Sequence, residues 1–233
     1  YEDEEFDGDV KYHLGCSYDV TTDAGKDVSM CLVPNPSHLE TVGAVMQGIS
    51  RAKINHKYAG DNSKLLPIII HGDAAVSGQG IVFEIVQMAQ LPAYQTGGSI
   101  HIVVNNQVGF TTNYLDGRSS TYCTDVAKTT LCPVLHINGD DVEAVVHAIN
   151  FAAAYRQKFK KDVFIDLLCY RKYGHNEGDE PRFTQPKLYQ KIAKHPNPRE
   201  IYNQKLMAQG VVEANIVKEM ASQFKNLLEI DLS

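Results

Sequence analysis

Long apolar runs are missing from this 233-residue chain. Its longest candidates, residues 65–70 and 100–104, are the length of buried strands, far short of the ~20 residues a membrane helix requires. On that ground a membrane protein is excluded. A basic excess is missing too. Lys and Arg number 22 against 28 Asp and Glu, a net charge of −6 with a pI near 5.8. Such a chain lacks the electrostatic footprint of a nucleic-acid binder. The five cysteines include no CxxC pair and leave one over, which points to reduced thiols in a reducing compartment and away from a disulfide framework. No apolar signal segment opens the chain: residues 1–12, YEDEEFDGDVKY, are acidic, and the first residue is Tyr1, not Met. That start implies a piece of something longer. A Walker loop is absent, and GQG at 78–80 lacks the third glycine of a dinucleotide fingerprint.

What is present is a regular alternation. Residues 1–27 are polar and turn-rich and predict an irregular lead-in. VSMCLV (28–33) predicts a short strand closed by Pro34, and Pro36-Ser37-His38 opens a helical stretch to about Lys57. LLPIII (65–70), SIHIVV (99–104), PVLHI (133–137) and VFIDLLCY (163–170) read as buried strands, with helices at 79–91 and 142–159 between them. Strands separated by helices predict an α/β domain at 28–181, built on an open, mostly parallel sheet with helices on both faces. Residues 182–233 predict a helical extension of that domain, with segments starting near 186, 198 and 212.

In such a sheet, ligands bind beyond the carboxyl ends of the strands. The residues there are HGDAAVSGQG (71–80), NNQVGFTT (105–112) and RKYGHNEGDEP (171–181), all dense in oxygen ligands, small residues and donors. Asp73 and Asn106 stand 33 residues apart, the length of a strand end, a helix and a returning strand, which puts both on adjacent strand ends. One carboxylate, one amide oxygen and a turn carbonyl such as that of Val108 form half an octahedral oxygen shell of the kind magnesium accepts. The helix after Asp73 would offer free N–H groups and a positive dipole end to an anion. Either residue alone is more simply a helix cap or a turn former; their joint spacing favours a magnesium–diphosphate clamp.

Gly-Asp followed about thirty residues later by Asn-Asn resembles the signature of thiamine diphosphate enzymes. More narrowly, HGDAAVSGQG, NNQVGFTT, YCTD, CYRKYGHNEGDEP, NPSHLE and KYHLG resemble the decarboxylating components of 2-oxoglutarate dehydrogenase complexes, in order, from about residue 9 to 206. Ala74, where many thiamine enzymes carry a second glycine, is similar to that narrower branch. The resemblance implies that Asp73, Asn106 and the carbonyl of Val108 hold Mg2+, and that Ala74 and Ala75 meet thiamine diphosphate through their backbone. It implies further cofactor contacts from Ser37 and Leu39 and a diphosphate contact from His175. His13 is similar to a histidine facing the reacting centre, and His38 lies in a matching motif. His101, His136 and His147 read as structural, His56 and His195 as surface residues, and His71 is open between the two.

The implied activity is oxidative decarboxylation of 2-oxoglutarate in the tricarboxylic acid cycle, with succinyl transfer to a lipoyl-bearing succinyltransferase, by a parent that is a homodimer. Its compartment would be bacterial cytoplasm or the mitochondrial matrix. Histidines suit the proton transfers near neutral pH, and the cofactor supplies an electron sink. A related enzyme acting on pyruvate or another 2-oxo acid, and a non-catalytic assembly domain, are the alternatives. The domain that would grip the aminopyrimidine ring is not recognisable here, so the fragment is expected to be inactive alone. The two glycines and the polar residues of 173–181 predict a loop that orders on binding ligand.

Overall fold

The computed structural model describes residues 13–231. The first twelve residues of the predicted lead-in lie outside this range. Cys16–Thr21 (β1) and Asp27–Leu32 (β2) pair antiparallel as a hairpin. Then follow Thr41–Lys57 (α1), Ile68–Gly72 (β3), the single turn Asp73–Val76 (α2), Ile81–Met88 (α3) and Ile100–Asn105 (β4). A small hairpin, Val108–Gly109 (β5) and Thr112–Asn113 (β6), leads into Tyr114–Gly117 (α4). Val134–Asn138 (β7), Val142–Phe159 (α5) and Val163–Leu168 (β8) complete the α/β unit. The helices Pro181–Thr184 (α6), Pro186–Ile192 (α7), Pro198–Ala208 (α8) and the longer Ala214–Asp231 (α9) close the described chain.

The four predicted core strands form one sheet, all parallel, in the order β3-β4-β8-β7. Strand alternation divides its residues between two faces. Val103 and Phe164 point to α3, where they pack with Val82 and Val86; Ile100, Val163 and Ile165 point to α5 and its Ala152. Burial on both faces is why these strands read as unbroken apolar runs. Arg156 of α5, 1% exposed, donates through Nε to the Gly98 carbonyl and through Nη2 to that of Thr96, which fixes the chain entering β4. Among the described residues no helix is long and apolar enough to cross a membrane.

Three expectations change. Residues 16–21 are a strand, not irregular chain, and residues 28–33 pair with them outside the parallel sheet. Both strands of this hairpin are exposed along almost their whole length, so neither carries a core signature. The helix expected from Pro36 begins at Thr41, because Glu40 sits at a left-handed φ of 67° with its carboxylate turned to His71.

Candidate functional site

Asp73 and Asn106 follow the carboxyl ends of β3 and β4, which are hydrogen-bonded neighbours paired Gly72 to Val104. The expected juxtaposition is therefore present. The Asp73 carboxylate accepts a hydrogen bond from Arg118 Nη1, and the nearby backbone N–H groups of Asp73 and Asn106 favour its charged form. Asn106 Oδ1 accepts from the Val108 N–H at 3.2 Å, an Asx turn that leaves a second lone pair on the amide oxygen. The two loops touch directly: a Cβ added to Gly109 would lie 2.6 Å from the Cβ of Ala74, so only glycine lets β5 approach α2 this closely.

The helix expected to follow Asp73 is broken. A four-residue turn is separated from α3 by residues 77–80, of which Gln79 and Gly80 are at positive φ. One turn has little macrodipole, so positive potential for an anion must come mainly from side chains. Arg118, Arg171 and His175 supply it, all three lining a cavity of about 650 Å³ together with Leu39, Asp73 and Asn106. Ala74, Ala75 and Val108 also line it. Seven of the sequence-predicted site residues thus share one cavity.

Burial pushes the Asp73 carboxyl upward, and the Arg118 guanidinium beside it pulls in the opposite direction. Arg118 Nη1 lies 3.2 Å from Asp73 Oδ2, with both side chains almost wholly buried. No cluster of three or more His, Cys, Asp and Glu side chains occurs among the described residues. A divalent cation at Asp73 would therefore draw on amide and carbonyl oxygens, the ligand set a hard cation accepts.

His175 reaches the cavity from the segment after β8. Its ring meets Phe110 edge-on at 4.9 Å between centroids, and its N–H donates to Asp179 Oδ2 at 2.8 Å. Arg171 ties this segment to the β5–β6 hairpin. Its Nη2 donates to the Phe110 carbonyl at 2.8 Å, and its Nε reaches the Tyr173 carbonyl and the Tyr189 hydroxyl. Of this segment, Arg171 and His175 line the cavity.

Three predicted residues are not brought into the cavity lining. Ser37 Oγ and His13 Nε2 lie 3.3 Å apart, so those two meet each other. His38 is exposed. Sequence reasoning missed Arg118 and Arg171 as site residues; Arg171 lies in CYRKYGHNEGDEP, where a cation beside an expected diphosphate was the available signal, whereas Arg118 lies outside the motifs. It also left His71 open. That imidazole is buried, its Nδ1 is 2.6 Å from Glu40 Oε2 and its Nε2 is 3.0 Å from His101 Nδ1. His101, stacked on Phe164, is 3.7 Å from Asp162. The Glu40–His71–His101 chain fixes the left-handed turn after Leu39 against β3, the strand that leads into Asp73.

Residues 4–231 match the family model described as the dehydrogenase E1 component. The chain is 53% identical over 221 residues to 2-oxoglutarate dehydrogenase, mitochondrial, of Dictyostelium discoideum, covering 95% of this chain and 21% of that protein. It is 51% identical over 223 residues to the 2-oxoglutarate dehydrogenase E1 component of Azotobacter vinelandii, covering 95% of this chain and 24% of that one. The Caenorhabditis elegans 2-oxoglutarate dehydrogenase, mitochondrial, is 49% identical over 229 residues, covering 97% and 22%. The chain therefore spans under a quarter of each of these relatives. With its parallel sheet and the strand-end cavity described above, it belongs to the dehydrogenase E1 component family.

Proposed function

We propose that this chain is the diphosphate- and metal-binding part of a thiamine diphosphate-dependent 2-oxoglutarate dehydrogenase. One observation carries the reading: Asp73, Asn106, Val108 and His175 converge on a single cavity at the carboxyl ends of two adjacent parallel strands. The residues fit the cofactor's charged end. The cavity combines a buried carboxylate and amide and carbonyl oxygens with three cationic or protonatable side chains, and the Gly109–Ala74 approach keeps its floor free of bulk.

In this reading Asp73, Asn106 and the Val108 carbonyl hold Mg2+, and His175 and Arg171 face the diphosphate. Ala74 and Ala75 meet it through their backbone, while Ser37 and Leu39 contact the rest of the cofactor. The bound thiazolium ring supplies the electron sink for loss of carbon dioxide from a 2-oxo acid. His13, which meets Ser37 outside the cavity lining, is assigned the role of moving a proton or steadying developing charge, and His38 stands beside Ser37 in the NPSHLE motif. A magnesium ion and a diphosphate largely neutralise one another, so the cavity needs both signs of side chain, and it has them.

The parent protein in this account passes a succinyl group to a lipoyl-bearing succinyltransferase and works as a homodimer. It operates in bacterial cytoplasm or, as the names of the eukaryotic relatives say of them, in mitochondria. Turnover of the parent with 2-oxoglutarate against pyruvate tests the substrate. A kcat/KM favouring 2-oxoglutarate supports the assignment, and a preference for pyruvate overturns it.

A further inference from the structure

Arg118 supplies charge to the cavity, and its setting is unusually constrained. It follows α4 in an irregular stretch, and its guanidinium is wedged between the Asp73 carboxylate and the Tyr114 ring. Nη1 lies 3.2 Å from Asp73 Oδ2, and the guanidinium carbon lies 5.3 Å from the ring centroid. The side chain is only 7% exposed, and its Nε is buried without a hydrogen-bond partner. An orphaned buried donor is costly, so something other than hydrogen bonding keeps the guanidinium in this pose. The contact is to one carboxylate oxygen, and it is made beside the cavity that Asp73 and Asn106 line.

We infer that Arg118 is a specificity-determining residue: by occupying Oδ2 it limits Asp73 to one oxygen for the metal and so selects magnesium over calcium. Calcium accepts bidentate carboxylates and six to eight oxygens at long distances; magnesium demands a compact octahedron. A carboxylate pinned at one oxygen by a buried, planar cation suits the second ion and penalises the first. The pinning also places Asp73 Oδ1 without a search over side-chain rotamers, as groups behind a metal ligand commonly do. This inference rests on Asp73 being a metal ligand.

The test is calorimetry of Mg2+ and Ca2+ binding to the full-length parent, stripped of metal and saturated with thiamine diphosphate. Wild type is compared with Arg118→Gln, Arg118→Lys and Asp73→Asn. Arg118→Gln is expected to weaken Mg2+ about tenfold, in line with loss of a group behind a ligand, and to leave Ca2+ unchanged or tighter. The calcium-to-magnesium preference therefore moves about tenfold toward calcium. Arg118→Lys keeps the charge but not the planar fork and is expected to move it part of the way, by threefold or more. If Gln prevents folding, the Lys variant decides alone. An unchanged preference in whichever variant folds, even with both metals equally weakened, overturns the inference and leaves Arg118 a plain counter-ion. If instead Asp73→Asn leaves both metals at wild-type affinity, the metal site itself is wrong.

Discussion

Gly109→Ala adds one methyl group at the point where β5 meets α2. The added carbon would sit 2.6 Å from the Ala74 Cβ, when ordinary contact begins near 3.4 Å. Gly109 has no positive φ to complicate the substitution, so the effect is purely one of space. Neither neighbour can yield cheaply, since both carbons are attached directly to backbone. The loops must separate by roughly 0.8 Å. Overpacking of this kind costs about 1–3 kcal/mol. More telling is the site: the same separation moves Val108 and Asn106 away from Asp73, and disturbing the support of metal ligands commonly costs about 10–100-fold in affinity. Urea denaturation and calorimetric titration of the parent with thiamine diphosphate and Mg2+ measure the two effects. Gly48→Ala is the control. It lies in the interior of α1 with no atom within 4 Å of its added Cβ, so it should stabilise by about 0.5–1 kcal/mol and leave binding alone. Wild-type cofactor affinity in Gly109→Ala, at full occupancy of the folded state, would refute the claim that the two loops form one cradle.

Amides at 173–181 are expected to gain hydrogen-exchange protection when thiamine diphosphate and Mg2+ bind, through His175; equal protection with and without them would show that Arg171 and Asp179 already hold the segment. His13→Ala in the parent should lower decarboxylation by about two orders of magnitude while cofactor affinity changes much less; a defect explained wholly by cofactor loss makes His13 a binding residue. Burial pushes the Cys123 thiol up to about 12 and that of Cys169 up to about 11, whereas Cys16 and Cys31 are exposed. Alkylation at pH 8 followed by peptide mapping should label the exposed pair and spare the other two, because the thiolate is the reactive form. Since these raised values mean that the native state holds its thiol protons longer than the unfolded chain, stability should fall as pH rises above about 9.

The parallel sheet was legible because its strands are apolar on both faces, and α5 because its apolar spacing runs unbroken from Val142 to Phe159. The adjacency of Asp73 and Asn106 was legible from chain length alone, since a strand, helix and strand consume about that many residues. The exposed hairpin was not. Its two strands bury almost nothing, and the bonds that order them, Thr21 to Asp27 and Ser29 to Asp19, join side chains that periodicity does not weigh. Arg118 was hidden for a different reason. It lies in irregular chain 45 residues from Asp73, and no local pattern tells where such a stretch returns. Glu40 escaped similarly: the proline and serine before it signal a helix start, but its left-handed turn depends on a buried imidazole from β3. The residues expected as ligands followed from motif and spacing; the side chains that touch them followed only from tertiary packing.

The location of the metal tests the central claim most directly. A crystal of the parent grown with thiamine diphosphate and Mn2+ in place of Mg2+ gives an anomalous signal from the metal alone. The account predicts one peak per chain in the cavity at the carboxyl ends of β3 and β4, bonded at about 2.0–2.3 Å to an Asp73 carboxylate oxygen, Asn106 Oδ1 and the Val108 carbonyl, with the diphosphate facing His175. A peak elsewhere would contradict it, most clearly one in the separate cavity of about 750 Å³ lined by Tyr173, Glu177 and Glu200.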